Sequence, residues 1–441
     1  MGKDASQQQS LALVLEESFK QIESEYKTGQ SFVFSKGHLS NLFLPPPNEV
    51  MKLFGIANPI LFGIEVAEQD LNLPLDIKSS SRHKLFTSGV GLPSVRKMHS
   101  WTQELFSHCF TADSIFTEQY IEPSLQVNSN AIGWYSLINN SEDMKQANIS
   151  EYFHRFKPLL SFLTQRCKDD VECISRIKEQ VDKRCIESMT LADKLRLQSH
   201  FWFEYSEVEN KTWEMFSHFL LQHEQHPKKD KETELSVFRC FSTLKMDFYL
   251  AAIAHYEVGN ILLETTNVDA ALKSNGLLTK SILFYTQGDA KNCFDGLLHE
   301  LKRLYSIKLG EVGWRQFAGF IEIEEDMTAV SGDSLQDKRY SRLKKWRKGE
   351  GAISNDKLKQ FLVNLVGTKK EDLDFLVVLL SYAQIALALD KICTEITAPF
   401  VHLKDFKSDL NLMLKEVLNQ YPEYYLRCMA RELPKVKISE A

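Results

Sequence analysis

Apolar positions recur in this chain with a period near 3.6 residues over most of its length. Leu11, Leu15, Phe19, Ile22 and Tyr26 trace one helical face, closed by Gly29. The same period predicts helices over residues 158–167, 171–186, 192–222, 235–263, 268–286 and 290–308. The last is the most regular, with Phe294, Leu297, Leu298, Leu301, Leu304 and Tyr305 on one face. Farther on, residues 373–396 read as a buried core helix. Pro399 breaks the pattern, and residues 403–420 form one more helix before a mixed aromatic and basic tail at 421–435. Strand-like alternation is essentially absent beyond residue 159, so any strand is expected before residue 140.

Proline marks the organisation. Seven of the twelve prolines lie in residues 1–123, and between 159 and 398 only Pro227 occurs. A proline interrupts a helical ladder, so so long a stretch with one proline fits an array of helices. The expectation is a mostly α protein, a multi-helix array of packed helical hairpins behind a loop-rich N-terminal region. Three parts are expected: residues 1–140, loop-rich and mainly helical; 150–330, the helical array; and 331–441, a C-terminal helical unit. Residues 30–47, 78–82 and 87–93 read as loops, and 226–234 as a charged linker. Val258, Gly259 and Ala271, with Gly288, Cys293 and Phe294, faintly resemble tetratricopeptide positions, but at the wrong spacing for that repeat.

One stretch asks for a particular partner. Seven of the eleven residues from 338 to 348 are Lys or Arg: Lys338, Arg339, Arg342, Lys344, Lys345, Arg347 and Lys348. Tyr340, Leu343 and Trp346 recur every third residue and predict an apolar stripe. Lys338, Arg342 and Lys345 make a separate stripe facing water. Gly349 stands where a helix needs a left-handed residue to stop. Ser354 is a good N-cap for a second helix whose apolar face is Leu358, Phe361, Leu362 and Leu365. Trp346 is placed to bridge the two helices.

Leu343, Trp346, Arg347, Gly349, Ser354, Leu358, Phe361 and Leu365 resemble the second half of the helix-turn-helix domain of phage-repressor-type regulators. There a recognition helix ends in an aromatic or aliphatic residue, a basic residue and Gly, and a capped helix follows. The resemblance covers about thirty residues. It implies a DNA-binding regulator with the seven cations on phosphates and base edges. The first half differs: residues 313–326 would supply the scaffold helix, and they end in Glu322, Glu324, Glu325 and Asp326. Those acids could neutralise the basic edge, in which case it is an ordinary solvated face. A protein-interaction scaffold using hairpins around residues 235–308 is the other reading.

The formal net charge of −6 on 441 residues argues against a uniformly basic coat protein, so affinity for a polyanion must come from this local patch. No secretory pattern opens the chain, and the apolar run 375–389 is short for a bilayer. The expectation is a cytoplasmic protein, bacterial in style, with no membrane role and its eight cysteines reduced. Possible partners are DNA or other nucleic acid, or a protein.

No complete catalytic signature is present, and no cofactor is expected. Glu151 and His154 form one Glu-x-x-His, and a di-iron bundle needs two. His218, His223 and His226 around Glu224 have spacings of five and three, not the four of a zinc-peptidase helix. His108 and Cys109 are adjacent, so on a helix they point about 100° apart and do not form a nucleophilic pair. Gly89-Val90-Gly91 lacks the lysine of a phosphate loop.

Overall fold

The computed structural model describes residues 42–54, 72–84, 90–109, 155–184, 190–206, 208–225, 231–264, 276–323, 334–351, 353–367, 370–398 and 407–439, with single positions between 64 and 138 and Phe400. The described residues are mostly helical, with no strand among them. The chain forms two compact units. The first takes Met1–Lys52, Ile56–His154 and Leu160–Glu207; the second takes Leu53–Gly55, Arg155–Leu159 and Val208–Ala441.

In the first unit the helices are α1 (Pro47–Val50), α2 (Ser79–Lys84), α3 (Leu92–Cys109), most of α4 (Lys157–Arg184) and α5 (Leu191–Tyr205). Arg82 organises the segment before α3. Its guanidinium grips Glu68 with both terminal nitrogens, at 2.9 and 2.5 Å, and also donates to the Leu75 and Ile77 carbonyls. That pairing, with the Leu75 amide, holds the Glu68 carboxyl below its ordinary range. Trp101 donates from its indole to the Leu73 carbonyl at 3.0 Å and packs with Met98 on Ile64, Leu75 and Ile77.

The second unit is built around α7 (Lys231–Glu264). Every residue from Met246 to Asn260 is buried, four turns without a solvent face. α7 is enclosed by α6 (Asn210–Gln225), α13 (Lys370–Thr397), α14 (Lys407–Leu418) and α15 (Tyr421–Ser439). A helix buried all round must satisfy whatever polar groups it carries. Asp247 accepts from the Tyr424 hydroxyl at 2.9 Å. Glu257 accepts from the Leu278 and Thr279 amides, the Thr279 hydroxyl and the Tyr421 hydroxyl. It thereby caps the start of α8 (Leu277–Gln287), and a Cβ on Gly276 would lie 2.1 Å from its Oε1.

α8 and α9 (Cys293–Leu309) form a tight hairpin. Gly288 ends α8 at φ +94°. A Cβ on Gly296 would sit 2.1 Å from the Ser281 carbonyl oxygen, so only glycine permits this approach. Asp390 of α13 receives the first amides of α9, Cys293 at 2.8 Å and Phe294 at 3.1 Å. α9 leads to α10 (Trp314–Phe317), a 3₁₀ turn (Ala318–Phe320), α11 (Leu335–Arg347) and α12 (Asn355–Val366). α13 includes Phe375–Thr397, the one stretch among the described residues long and apolar enough to cross a membrane. It packs here on α9, α12, α8 and α7.

Several expectations need correction. Residues 79–84 are a helix rather than a loop, and Arg82 within it grips the half-buried Glu68 carboxylate. The helices expected at 158–167 and 171–186 are one, α4; Lys168, Asp169 and Asp170 continue the helix rather than break it. The helix expected over 192–222 is two, because Ser206 is extended and its hydroxyl returns to the Trp202 carbonyl. The expected tail at 421–435 is α15, with Tyr421, Tyr425, Cys428 and Met429 buried. The scaffold helix over 313–326 shrinks to α10 and the 3₁₀ turn, and Glu324, Glu325 and Asp326 lie outside the described residues. So do residues 1–41, Glu151, His154 and His226.

Candidate nucleic-acid interface

α11 begins at Ser334, whose hydroxyl accepts from the Asp337 amide and donates to the Asp337 carboxylate at 2.6 Å. That hydrogen bond, with Arg315 at 2.6 Å, holds Asp337 below the ordinary carboxylate range. The only acid on α11 is therefore already engaged. The helix ends at Gly349, φ +70°, where the Gly349 and Glu350 amides return to the Trp346 and Lys345 carbonyls. Ser354 caps α12 as expected, accepting from the Lys357 amide.

Leu343 and Trp346 are buried, and the Trp346 ring meets Phe361 of α12 edge to face at 5.7 Å. Phe361 also packs edge to face on Phe317, and Phe320 on Tyr305 of α9. Leu358 and Phe361–Leu362 complete the apolar face; Leu365 is half-buried. Tyr340 is half-buried too, with the Lys344 ammonium 4.8 Å above its ring. The apolar bridge between the two helices thus has Trp346 at its centre.

The seven cations divide. Lys338, Arg342 and Lys345 make no ion pair with a described residue; Lys345 is exposed and the other two half-buried. Lys344 and Lys348 are exposed, and Lys348 lies 3.4 Å from Glu350. Arg339 turns toward the body: its Nε is buried without a hydrogen-bond partner among the described residues. Arg347 departs from the expectation of a cation presented outward. Its Nε donates to Asp295 at 2.5 Å, its Nη2 donates to His299 Nε2 at 2.9 Å, and its guanidinium lies 3.7 Å from the centre of the Trp314 ring. Asp295 is fully buried, so Arg347 compensates a charge the core could not otherwise hold.

Reasoning from sequence missed this anchor. Asn292 is its hinge: its Oδ1 caps α9 by accepting from the Asp295 amide, and its Nδ2 donates to the Arg347 carbonyl. The pattern Asn292-x-x-Asp295 before an apolar run is a cap signal that could have been found. Nothing in the sequence distinguishes Arg347 from the cations around it.

Glu322, expected to neutralise the patch, is engaged elsewhere. It accepts from Gln360 and Asn364 on α12 at 3.1 and 3.4 Å. Among the described residues no group of three or more His, Cys, Asp or Glu side chains could hold a metal ion. Cys167, Cys173, Cys240, Cys293, Cys393 and Cys428 are free and buried, and burial pushes the Cys293 thiol well above its ordinary value. Compared with family models, curated proteins and solved structures, the chain matches none of them.

Proposed function

We propose that the chain binds an anionic polymer, nucleic acid in the first place, through the outward face of α11. Lys338, Arg342, Lys344, Lys345 and Lys348 form that face, with Arg339 at its margin; Arg347 stays inside as an anchor. One observation carries the reading. α11 is held by Leu343, Trp346 and Arg347 on one side, while Lys338, Arg342 and Lys345 on the other meet no acid among the described residues. Unpaired cations in a row attract polyphosphates because each contact releases a condensed counterion. The resemblance of residues 343–365 to repressor-type regulators favours DNA, and a regulatory role in the cytoplasm, within that class.

The test is fluorescence anisotropy with labelled duplex and single-stranded oligonucleotides over a salt series. Arg342→Ala with Lys345→Ala should keep the thermal midpoint near wild type. It should weaken binding about equally for all sequences and reduce the duplex salt slope by roughly 0.9 per lost contact. No binding by wild type at low salt would remove the proposal.

A second reading, a protein-interaction scaffold, draws on Leu304 and Ile307. They stand one turn apart on α9, exposed by 39% and 70%. The body of α7 has no face to offer, so a partner protein would sit at the end of α9. A double variant that binds oligonucleotides as well as wild type would move weight to this reading.

A further inference from the structure

The geometry points to a proton-operated latch at the end of α11: neutral His299 holds Arg347 inside, and protonated His299 releases it to join the cationic face. This rests on the polyanion site proposed above and adds its regulation.

A guanidinium has N–H groups and no lone pair to offer. Arg347 Nη2 lies 2.9 Å from His299 Nε2, so Nε2 must be the acceptor. The imidazole is then neutral, with its proton on Nδ1. Protonation would set two N–H donors and two positive charges against each other at that distance. Asp295 is shared between them, with Oδ1 2.5 Å from Arg347 Nε and 3.9 Å from His299 Nε2. A charged imidazole competes for that carboxylate from within α9, while Arg347 sits on the last turn of α11 with solvent within reach. Leu343 and Trp346 stay buried meanwhile, so α11 keeps its place as the arginine leaves.

The surroundings of His299 are set by four elements. α8 stacks Phe284 on the ring at 5.6 Å, and α10 presents the edge of Trp314 at 4.7 Å. α9 itself supplies Asp295 and Lys302, the turn before it Asp289, and α11 supplies Arg347. Burial, then Arg347 and Lys302, disfavour the charged ring; Asp295 and Asp289 favour it; the net effect holds His299 below its ordinary value. The latch is therefore closed at neutral pH and opens under mild acid.

The experiment uses the full chain and His299→Gln, whose side-chain oxygen can still accept from Arg347. Imidazole ¹⁵N shifts should show a neutral ring protonated at Nδ1 at pH 7.5, with a midpoint below the ordinary histidine value. A ring charged at pH 7.5, or protonated at Nε2, would overturn the latch. With a labelled duplex as probe, wild type should gain several-fold more affinity than His299→Gln between pH 7.5 and 5.5. Its salt slope should steepen by roughly 0.9 beyond that of the variant. Equal gains in the two proteins would also overturn it. If wild type binds no oligonucleotide at either pH, the polyanion reading fails by itself. The Arg347 Nε–H resonance then decides: loss at pH 5.5 in wild type with retention in His299→Gln supports the latch, and persistence in both refutes it.

Discussion

Trp346 and Arg347 are neighbours in sequence with different tasks, and truncation should separate them. The Trp346 indole is buried and packs edge to face on Phe361, so Trp346→Ala should destabilise the protein by about 3–5 kcal/mol in urea unfolding. An unchanged unfolding midpoint would contradict its place in the core. Asp390 carries a pH effect. Burial pushes its carboxyl up to about 7, against the opposing pull of the Cys293 and Phe294 amides. The folded protein thus holds this proton more tightly than the unfolded chain does. Asp390 favours folding most in acid, and that contribution is lost as pH rises from the ordinary carboxylate range to about 7. Wild type and Asp390→Asn should therefore diverge by on the order of 1–4 kcal/mol across that window, read from unfolding curves at several pH values. Parallel curves would rule this out. Residue roles of this kind were the least legible in sequence. Trp346 was readable because its neighbours repeat at helical spacing. Arg347 was not, because its partners Asp295 and His299 stand about fifty residues away.

Elements were more legible, since a helix declares itself through local spacing. Gly288, Gly310, Gly349 and Gly367 stop α8, α9, α11 and α12, each at positive φ. The misreadings have local causes as well. Charged triplets look like breaks, yet in α4 Lys168, Asp169 and Asp170 continue the helix, the first two half-buried and Asp170 buried. A tyrosine-rich segment reads as a tail until a buried carboxylate, Glu257, gives one of its hydroxyls a partner. Close helix approach cannot be read from periodicity at all. A Cβ at Gly259 of α7 would lie 1.9 Å from the Arg155 carbonyl oxygen, which is backbone and cannot swing aside. Gly259→Ala should cost about 1–3 kcal/mol, although alanine is the better helix former. A thermal midpoint at or above that of wild type would show that residues 155–159 do not approach α7 in this way.

At the scale of the molecule, the second unit is discontinuous. Phe54 and Phe156 pack on Tyr256 of α7 at 5.3 and 5.4 Å, and both come from short segments far upstream. A chain beginning at residue 208 would lack both rings and the Arg155 backbone. It should unfold at a lower temperature than the full chain's second unit, and with less cooperativity; an equal midpoint would show that these segments contribute nothing. The same arrangement sets an order of events at the ribosome. At ~5–20 residues per second, Phe54 emerges roughly 10–40 s before Tyr256 exists to receive it. Over that interval the ring must stay out of wrong company, and the unit that carries α11 closes only after the last helices have been made.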